Sequence, residues 1–283
     1  MVEQTAEADV RSRATTGTEA PAVVFEHVSL AFDEKVILKD LSFTLLPGRT
    51  KIILGASGAG KSMTLKILLG LLKPDGGAVS VNGERVDRLT ENEMMAVRAN
   101  MGMVFQEGAL FDSLTVRENV GYKLYEETDM PLEEVDARVE EVLGFIGLIE
   151  HIDKMPSELS GGQRRRVAIA RAMAFKPKIL LYDEATTGLD PITATTVDDE
   201  IIKLRDLEEV SSIVVTHQLR DAFYVATHMA SRGAGGEVEI VPATPEKERE
   251  AEFIMLKDGL VCFEGDAEAL RKSSDPYIRT FLS

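Results

Sequence analysis

The chain has one cysteine and no tryptophan among its 283 residues. A single thiol cannot form an internal disulfide, so the sequence does not describe a disulfide-stabilised extracellular scaffold. Long apolar runs are also lacking, because the run Leu65–Leu72 is interrupted by Lys66 and Gly70, whereas a membrane span needs about 20 apolar residues. No apolar segment typical of a secretory signal lies near the N-terminus. We therefore expect a protein of the cytosol.

Positive charge is scarce as well. The 32 Lys and Arg side chains are outnumbered by 48 Asp and Glu, which gives a net charge of −16. Such a chain repels a phosphate backbone, so nucleic acid is not an expected partner, although a local basic patch is compatible with this charge. The hydrophobic fraction of 44% and the charged fraction of 28% are typical of an ordinary globular protein.

The chain begins with a polar stretch and then changes pattern. Residues 1–20 hold almost no large apolar side chains and predict a flexible tail, whereas residues 21–283 predict one folded domain. At the start of that domain, short β-rich runs broken by charged or turn residues predict the strands of an antiparallel layer. These runs are Val23–Phe25, Val28–Phe32, Val36–Leu38 and Leu41–Leu45.

Apolar strands alternate with helices in the rest of the domain. The strand Ile52–Leu54 precedes a helix predicted over Lys61–Leu72. The strands Ile179–Tyr182 and Ser212–Val215 are separated by a helix predicted over Thr193–Leu207. This alternation predicts an α/β fold with a parallel-sheet core.

Two further segments interrupt the alternation. The sequence from Thr90 to Phe175 predicts mainly helix, and we expect a helical subdomain at about 107–175. Residues 231–252 are rich in Gly, Pro and Glu and predict a surface insertion.

The first chemical motif lies between a predicted strand and a predicted helix. It consists of Gly55, Ala56, Ser57, Gly58, Ala59, Gly60, Lys61 and Ser62, and matches G-x-x-x-x-G-K-[ST]. In such a loop the backbone N–H groups and the helix N-terminus attract phosphate. Lys61 is expected to reach the β- and γ-phosphates of ATP, and Ser62 to bind Mg²⁺. A chance glycine-rich turn would not require the flanking strand and helix. We call residues 55–62 the phosphate loop.

Two adjacent carboxylates end the strand Ile179–Tyr182. Successive side chains of a strand point in different directions, so Asp183 and Glu184 can serve different purposes. Asp183 is expected in the Mg²⁺ shell, and Glu184 is expected to polarise the attacking water. An isolated Asp-Glu pair would be interpreted as a solvated strand end, but the upstream phosphate loop favours the catalytic interpretation.

A second anion-binding pattern follows Leu159. It consists of Ser160, Gly161, Gly162 and Gln163, in which a serine N-cap precedes glycines that allow close approach of a phosphate. With Arg164–Arg166 and Val167–Ala174, it resembles the signature motif of ATP-binding cassette (ABC) ATPases. The resemblance implies that this signature segment, Ser160–Gln163, closes on ATP held by a second copy of the chain.

The resemblance covers residues 22–282 and implies further site residues. Gln106 matches a glutamine that touches Mg²⁺ and the membrane partner, His217 a histidine at the γ-phosphate, and Asp190 a residue at the dimer interface. Met63 would join the nucleotide-binding residues. The remaining histidines, His27, His151 and His228, match no motif and are interpreted as structural. Ala185 replaces a proline that is usual in the family.

An aromatic side chain is expected to stack on the adenine ring. Phe32 aligns with that position of the family, and Phe25 or Phe43 is the alternative. The implied fold is a P-loop NTPase (ABC ATPase) with a parallel-sheet core, an antiparallel β layer and a helical subdomain.

Local sequences narrow the resemblance to one branch of the family. The segments at 106–111, 155–158, 190–193 and 275–281 are similar to those of the ATPases of Mla/Mce-type phospholipid transport. This likeness implies separate integral-membrane permease subunits, with a Mce lipid-binding protein and a STAS-domain protein as further partners. It places the chain peripherally on the cytoplasmic face of the inner membrane. The alternatives are the ATPase of a polar-solute importer, such as one for amino acids, and a soluble ABC ATPase acting on nucleic acid or ribosomes.

Overall fold

The computed structural model describes residues 20–233 and 236–282, so the predicted tail lies outside the described residues except for Ala20. The strands are β1 (Val23–Phe32), β2 (Lys35–Leu45), β3 (Thr50–Gly55), β4 (Gly76–Val81), β5 (Glu84–Arg85), β6 (Met101–Val104), β7 (Ile179–Asp183), β8 (Ser211–Thr216), β9 (His228–Arg232), β10 (Val238–Pro242), β11 (Ala251–Lys257) and β12 (Leu260–Gly265).

Helices connect most of these strands. They are α1 (Lys61–Leu68), α2 (Glu91–Arg98), α3 (Val116–Glu127), α4 (Leu132–Phe145), α5 (Gly161–Met173), α6 (Pro191–Leu207), α7 (Leu219–Thr227), α8 (Pro245–Glu248), α9 (Ala267–Lys272) and α10 (Pro276–Leu282). Short 3₁₀ turns cover Ile149–His151 and Pro156–Glu158. The first helix is shorter than predicted, because Gly70 adopts a left-handed φ of 68° after the C-cap Leu69 and ends it.

A six-stranded sheet forms the centre of the molecule, in the order β12-β11-β3-β8-β7-β6. All neighbouring strands are parallel except β11 and β12, which form an antiparallel hairpin. Every residue of β3 and β8 is buried, as expected for parallel strands covered on both faces. The predicted α/β fold with a parallel core is therefore confirmed, and its strands bring the phosphate loop and the Asp183-Glu184 pair to one edge.

Alternate residues of the central strands enter two different hydrophobic clusters. Ile52 and Leu54 face one cluster together with side chains of α3–α7, whereas Ile53 faces the other with α1, α2 and the antiparallel layer. The period of two along a strand explains this division. The sheet therefore separates a helical layer from a layer that contains the second sheet, in the order β2-β1-β4-β5.

The antiparallel layer corrects one expectation. The four short strands predicted between Val23 and Leu45 are two continuous strands, β1 and β2, with irregular register near His27 and Asp40. Both residues have a left-handed φ, 52° and 53°, and their backbone N–H groups donate to the hydroxyls of Ser42 and Ser29. These bulges bend the strands without ending them, which is why polar residues inside the strands look like breaks in the sequence.

The predicted insertion is anchored to α6. Residues 231–252 contain the end of β9, β10, α8 and the start of β11. Lys247 of this stretch lies 2.9 Å from Asp206, whose carboxylate also accepts from Arg205 and from the backbone of Ala230. Within the part of the chain that the structure describes, no helix is both long and apolar enough to cross a membrane.

Two buried carboxyl groups lie on the neighbouring helices α6 and α7. Asp198 of α6 and Asp221 of α7 are 2% and 3% exposed, and Asp198 Oδ2 and both Asp221 oxygens accept no hydrogen bond from the described residues. Arg220 lies 3.8 Å from Asp221. Burial, reinforced by the nearby Asp221 charge, raises the pKa of Asp198 to about 9. At neutral pH the folded protein therefore keeps a proton on Asp198 that the unfolded chain releases.

We expect Asp198→Asn to stabilise the protein, increasingly so as the pH rises from 4 to 9. A folded-state pKa above the unfolded value costs about 1.4 kcal/mol per pH unit across that window, and the neutral amide removes this cost because it does not titrate. Thermal unfolding followed by circular dichroism at several pH values measures the effect, with Glu208→Gln, an exposed carboxylate at the end of the same helix, as the control. An equal pH dependence of Tm in Asp198→Asn and the parent would contradict the prediction.

Candidate functional site

Left-handed glycines shape the phosphate loop. Gly55 has a φ of 154° and Gly60 a φ of 99°, a region that other residues rarely adopt. A Cβ atom on Gly60 would lie 2.6 Å from the Leu38 side chain, and one on Gly55 would lie 2.6 Å from the Leu256 carbonyl oxygen. The loop therefore needs glycine for its backbone conformation and for its close fit, and it leads directly into the N-terminus of α1.

Lys61 is held inside the phosphate loop. Its Nζ donates to the carbonyl oxygens of Gly55 at 2.8 Å and Ala56 at 3.2 Å, and lies 3.3 Å from Glu184 Oε1. The side chain is 5% exposed. A cation fixed at the centre of an N–H-rich loop is the arrangement that attracts the terminal phosphates of a nucleotide.

Ser62 and Asp183 form an oxygen pair beside Lys61. The Ser62 hydroxyl donates to Asp183 Oδ1 at 2.8 Å. Burial raises the pKa of Asp183, and the hydrogen bond from Ser62 offsets part of that rise. A cation would stabilise the charged carboxylate, and hydroxyl and carboxylate oxygens are ligands that suit Mg²⁺. These two residues therefore fit a magnesium site.

Glu184 is the most constrained carboxylate of the site. Its φ of 53° places the side chain on a strained turn at the end of β7. Glu184 Oε2 accepts from Thr187 Oγ1 at 2.8 Å and lies 2.6 Å from His217 Nδ1. Because an ionised carboxylate only accepts, the imidazole Nδ1–H is the donor. Two hydrogen bonds and the ion pair with Lys61 at 3.3 Å therefore fix the position of this carboxylate.

Most of these residues line one cleft of about 540 Å³, which we call the phosphate-loop cleft, whereas Gly55, Ala56, Ala59 and Asp183 are not among its described lining residues. Its lining is Phe32, Lys35, Ile37, Ser57, Gly58, Gly60, Lys61, Ser62, Met63, Gln106, Glu184, Thr187 and His217. Phe32 is exposed, whereas Phe25 and Phe43 are buried and stacked on each other with ring centroids 4.6 Å apart. The structure thus places Phe32, and neither alternative, where it can contact a ligand.

The signature segment and Asp190 lie apart from this lining. Ser160 Oγ accepts from the Gln163 backbone N–H at 3.3 Å, and Gln163 Oε1 accepts from the Ser160 N–H at 2.8 Å, so the two residues form a capping box at α5. Asp190 caps α6 through the N–H groups of Ile192 and Thr193. Gly161 and Gly162 occupy the first turn of α5. The phosphate-loop cleft contains none of these residues among its described lining.

Three site features were missed from the sequence. Thr187 binds Glu184, and its position three residues after that carboxylate was an available signal. Lys35 and Ile37 line the cleft from β2. Arg165 of α5 is 8% exposed and donates to the carbonyl oxygens of Ala185 at 3.0 Å and Thr187 at 3.2 Å. It holds the turn after Glu184 where the resemblance would place a proline.

Comparison with known proteins gives a consistent result. The family described as "ABC transporter" matches residues 38–187. Two solved structures of the ATP-binding cassette MJ0796, both described as dimeric and one bound to ADP and phosphate, match with TM-scores of 0.69 and 0.70 and identities of 31% and 30%. Each match covers 86% of this chain and 98% of the solved chain.

Three similar sequences have different names, and two of these names describe different kinds of transport. "Protein TRIGALACTOSYLDIACYLGLYCEROL 3, chloroplastic" of Arabidopsis thaliana is 43% identical over 66% of this chain and 59% of its own length. "Methionine import ATP-binding protein MetN" of Bifidobacterium longum is 37% identical over 83% and 61%. "Intermembrane phospholipid transport system ATP-binding protein MlaF" of Escherichia coli is 32% identical over 93% and 89%. The chain thus spans about three fifths of the first two relatives and most of the third.

We expect Lys61→Ala to raise the Kd for ATP about tenfold or more, because a hydrogen bond to a charged group contributes ~1.5–3 kcal/mol. Equilibrium titration with a fluorescent ATP analogue measures the change. Lys73→Ala, an exposed lysine beyond the end of α1, is the matched control and should leave the Kd unchanged. Equal affinities of Lys61→Ala and the parent would remove Lys61 from phosphate binding.

Proposed function

The chain belongs to the ABC transporter family, and from that premise we propose that it is the ATP-hydrolysing subunit of a transporter that moves phospholipid or a related lipid. As a member of this family, the chain is an ATPase that binds ATP. The proposal concerns its assembly, the roles of its site residues and its substrate.

We propose that two copies bind two ATP molecules between them, head to tail. One observation carries this proposal: the signature segment, a second helix N-terminus with glycines, is not among the described residues that line the phosphate-loop cleft. Two such sites in one chain are explained if each completes the cleft of the other copy. The dimeric descriptions of the MJ0796 structures support the same assembly.

In this assembly Glu184 is the general base. Its carboxylate is fixed by Lys61, Thr187 and His217, so it can accept a proton from water without reorganising. Phosphate oxygens would replace the loop carbonyls as partners of Lys61, which then meets the developing negative charge. Phe32 stacks on the adenine ring.

Magnesium is the expected metal of the site. Ser62, Asp183 and Gln106 would hold it, and when bound it supplies positive charge to the β- and γ-phosphates. Gln106 is an exposed residue of the cleft rim. His217 contributes through Nε2, because its Nδ1 is bonded to Glu184.

ATP favours the closed pair because only that state offers both sets of contacts to one triphosphate. The phosphate loop of one copy and the signature segment of the other then hold the same γ-phosphate, with Asp190 at the contact between copies. Hydrolysis removes this bridge and allows the pair to reopen. The free energy of closure is thereby available to move a permease.

An apolar groove beside Gln106 is the proposed contact with the permease. Phe105, Phe111 and Tyr122 are 41%, 43% and 40% exposed, and the rings of Phe111 and Tyr122 are 4.6 Å apart. The buried Asn119 holds this loop through the backbone N–H and carbonyl of Phe111. Clustered exposed aromatic side chains are typical of a protein-binding surface.

A lipid substrate is favoured by the local sequences at 106–111, 155–158, 190–193 and 275–281, and by the match to MlaF along 93% of the chain. The matching system would include a Mce lipid-binding protein and a STAS-domain protein, with this chain at the cytoplasmic face of the membrane. The second candidate is an importer of a polar solute, which the match to MetN favours.

We expect Glu184→Gln to lower the ATPase rate at least about a hundredfold, the contribution of a general base, while ATP binding is retained. ATP and Mg²⁺ should then convert the chain into a stable dimer, because closure proceeds without the hydrolysis that reverses it. A phosphate-release assay and analytical ultracentrifugation measure the two effects.

The control for this variant is Glu246→Gln, an exposed carboxylate on α8, which should hydrolyse ATP at the parent rate. Hydrolysis by Glu184→Gln at the parent rate would remove Glu184 from its proposed role. A monomer at saturating ATP would contradict the two-copy assembly.

One purification experiment tests both the proposed lipid substrate and the proposed permease contact at the groove beside Gln106. We expect the full chain, affinity-tagged and purified in mild detergent from membranes of its host, to retain integral-membrane proteins, and phospholipid bound to a lipid-binding subunit. Phe111→Glu should lose these partners, because a charge replaces the aromatic ring of the groove, and should keep its affinity for ATP. Mass spectrometry of proteins and extracted lipids reads the result.

Recovery of a permease with a soluble amino-acid-binding protein and no lipid-binding subunit would favour the polar-solute importer instead. Equal recovery of the permease by Phe111→Glu and the parent would place the contact elsewhere on the surface.

A further inference from the structure

The amide of Gln163 contacts a histidine that no motif includes. Its Nε2 lies 2.7 Å from Nε2 of His151, at the end of the 3₁₀ turn Ile149–His151. Its Oε1 accepts from the backbone N–H of Ser160 at 2.8 Å. One short side chain thus joins the turn after α4 to the N-terminus of α5.

The Ser160 contact decides which way the amide points. A backbone N–H can only donate, so the oxygen of Gln163 must face Ser160 and the NH₂ group must face His151. His151 Nε2 is then the acceptor, and its ring carries the proton on Nδ1. A proton on Nε2 would set two donors against each other, and rotating the amide would set its NH₂ group against the Ser160 N–H.

The surroundings of the other ring nitrogen, Nδ1, do not themselves favour a proton there. His151 Nδ1 is buried and has no hydrogen-bond partner among the described residues. A buried N–H without a hydrogen-bond partner is unfavourable. The Nδ1–H tautomer therefore has a cost at Nδ1, and another contact must favour it. The contact with Gln163 is the interaction in the structure that requires this arrangement.

The two hydrogen bonds between Ser160 and Gln163 leave the hydroxyl hydrogen of Ser160 available to a ligand. The Ser160 N–H is taken by Gln163 Oε1, and Ser160 Oγ accepts from the Gln163 backbone N–H at 3.3 Å. The serine hydroxyl hydrogen has no acceptor in the part of the chain that the structure describes. It can therefore be donated to an anion in front of α5, next to the N–H groups of Gly161 and Gly162.

We propose that His151, as the Nδ1–H tautomer, is a positioning residue for the signature segment. By accepting from Gln163 it fixes the amide that fastens the Ser160 backbone and directs the serine hydroxyl toward the γ-phosphate bound by the second copy. The inference rests on the proposed two-copy function. It gives His151 a role beyond the structural one that the sequence analysis assigns.

Ring ¹⁵N chemical shifts test the tautomer directly in the full chain. The sequence has 4 histidines, so the His151 signals are identified by their loss in His151→Gln. We expect a protonated-type shift for Nδ1 and an unprotonated-type shift for Nε2 at neutral pH. A protonated Nε2 would overturn the proposal, whatever the oligomeric state of the protein.

ATP-driven dimerisation in the Glu184→Gln background tests the positioning role. His151→Ala should raise the ATP concentration at half-maximal dimerisation about threefold to tenfold, the range for one hydrogen bond, without changing ATP affinity of the monomer. His151→Gln should stay within about twofold of its parent, because its amide oxygen can accept from Gln163. His27→Ala, an exposed histidine of the antiparallel layer, is the control and should not change the midpoint.

The outcomes separate this inference from the function on which it rests. If Glu184→Gln itself forms no dimer with ATP, the proposed function fails, and the ¹⁵N shifts alone decide the state of His151. If the parent dimerises and both His151 variants shift equally, or neither shifts, the positioning role is wrong. Thermal unfolding of each variant verifies that it is folded under the conditions of the titration.

Discussion

The carboxylate of Glu184 is the group on which the rest of the site depends. Glu184 leaves strand β7 on a left-handed backbone turn, and a lysine, a threonine hydroxyl and an imidazole converge on its two oxygens. A carboxylate held by two hydrogen bonds and an ion pair cannot rotate freely, so its orientation is set before a ligand binds. The fold supports this arrangement, because Glu184 and His217 follow the adjacent parallel strands β7 and β8. Lys61 begins the helix that follows β3, the other neighbour of β8 in the sheet.

The second constraint is the placement of two glycine-containing helix N-termini in one chain. α1 presents the phosphate loop to the cleft, whereas α5 presents the signature segment elsewhere. Arg165 links these regions, because its side chain extends from α5 and donates hydrogen bonds to carbonyl oxygens of the turn that follows Glu184. Within one chain, the helix that begins with the signature segment is thus hydrogen-bonded to the turn beside Glu184.

Much of this was predictable because it is encoded locally. The phosphate loop, the strand ending at Asp183 and the serine cap at Ser160 each require particular residues at fixed spacing, so the sequence identified them. Contacts between distant segments were not predictable. Arg165 reaches a turn 20 residues away and His151 reaches Gln163 through a side-chain amide, and neither spacing has a periodic signal. The bulges at His27 and Asp40 hid two continuous strands for a similar reason, since their polar residues are typical of turns.

The central proposal is that the phosphate loop of one copy and the signature segment of the other bind the same ATP molecule. A structure of the full chain with Mg²⁺ and a non-hydrolysable ATP analogue tests it most directly. The measured quantity is the distance between Ser160 Oγ of one copy and the γ-phosphate bound by the phosphate loop of the other. The account predicts a hydrogen bond, at about 2.5–3.0 Å. A closed, nucleotide-bound pair in which the signature segment lies far from that phosphate would contradict it.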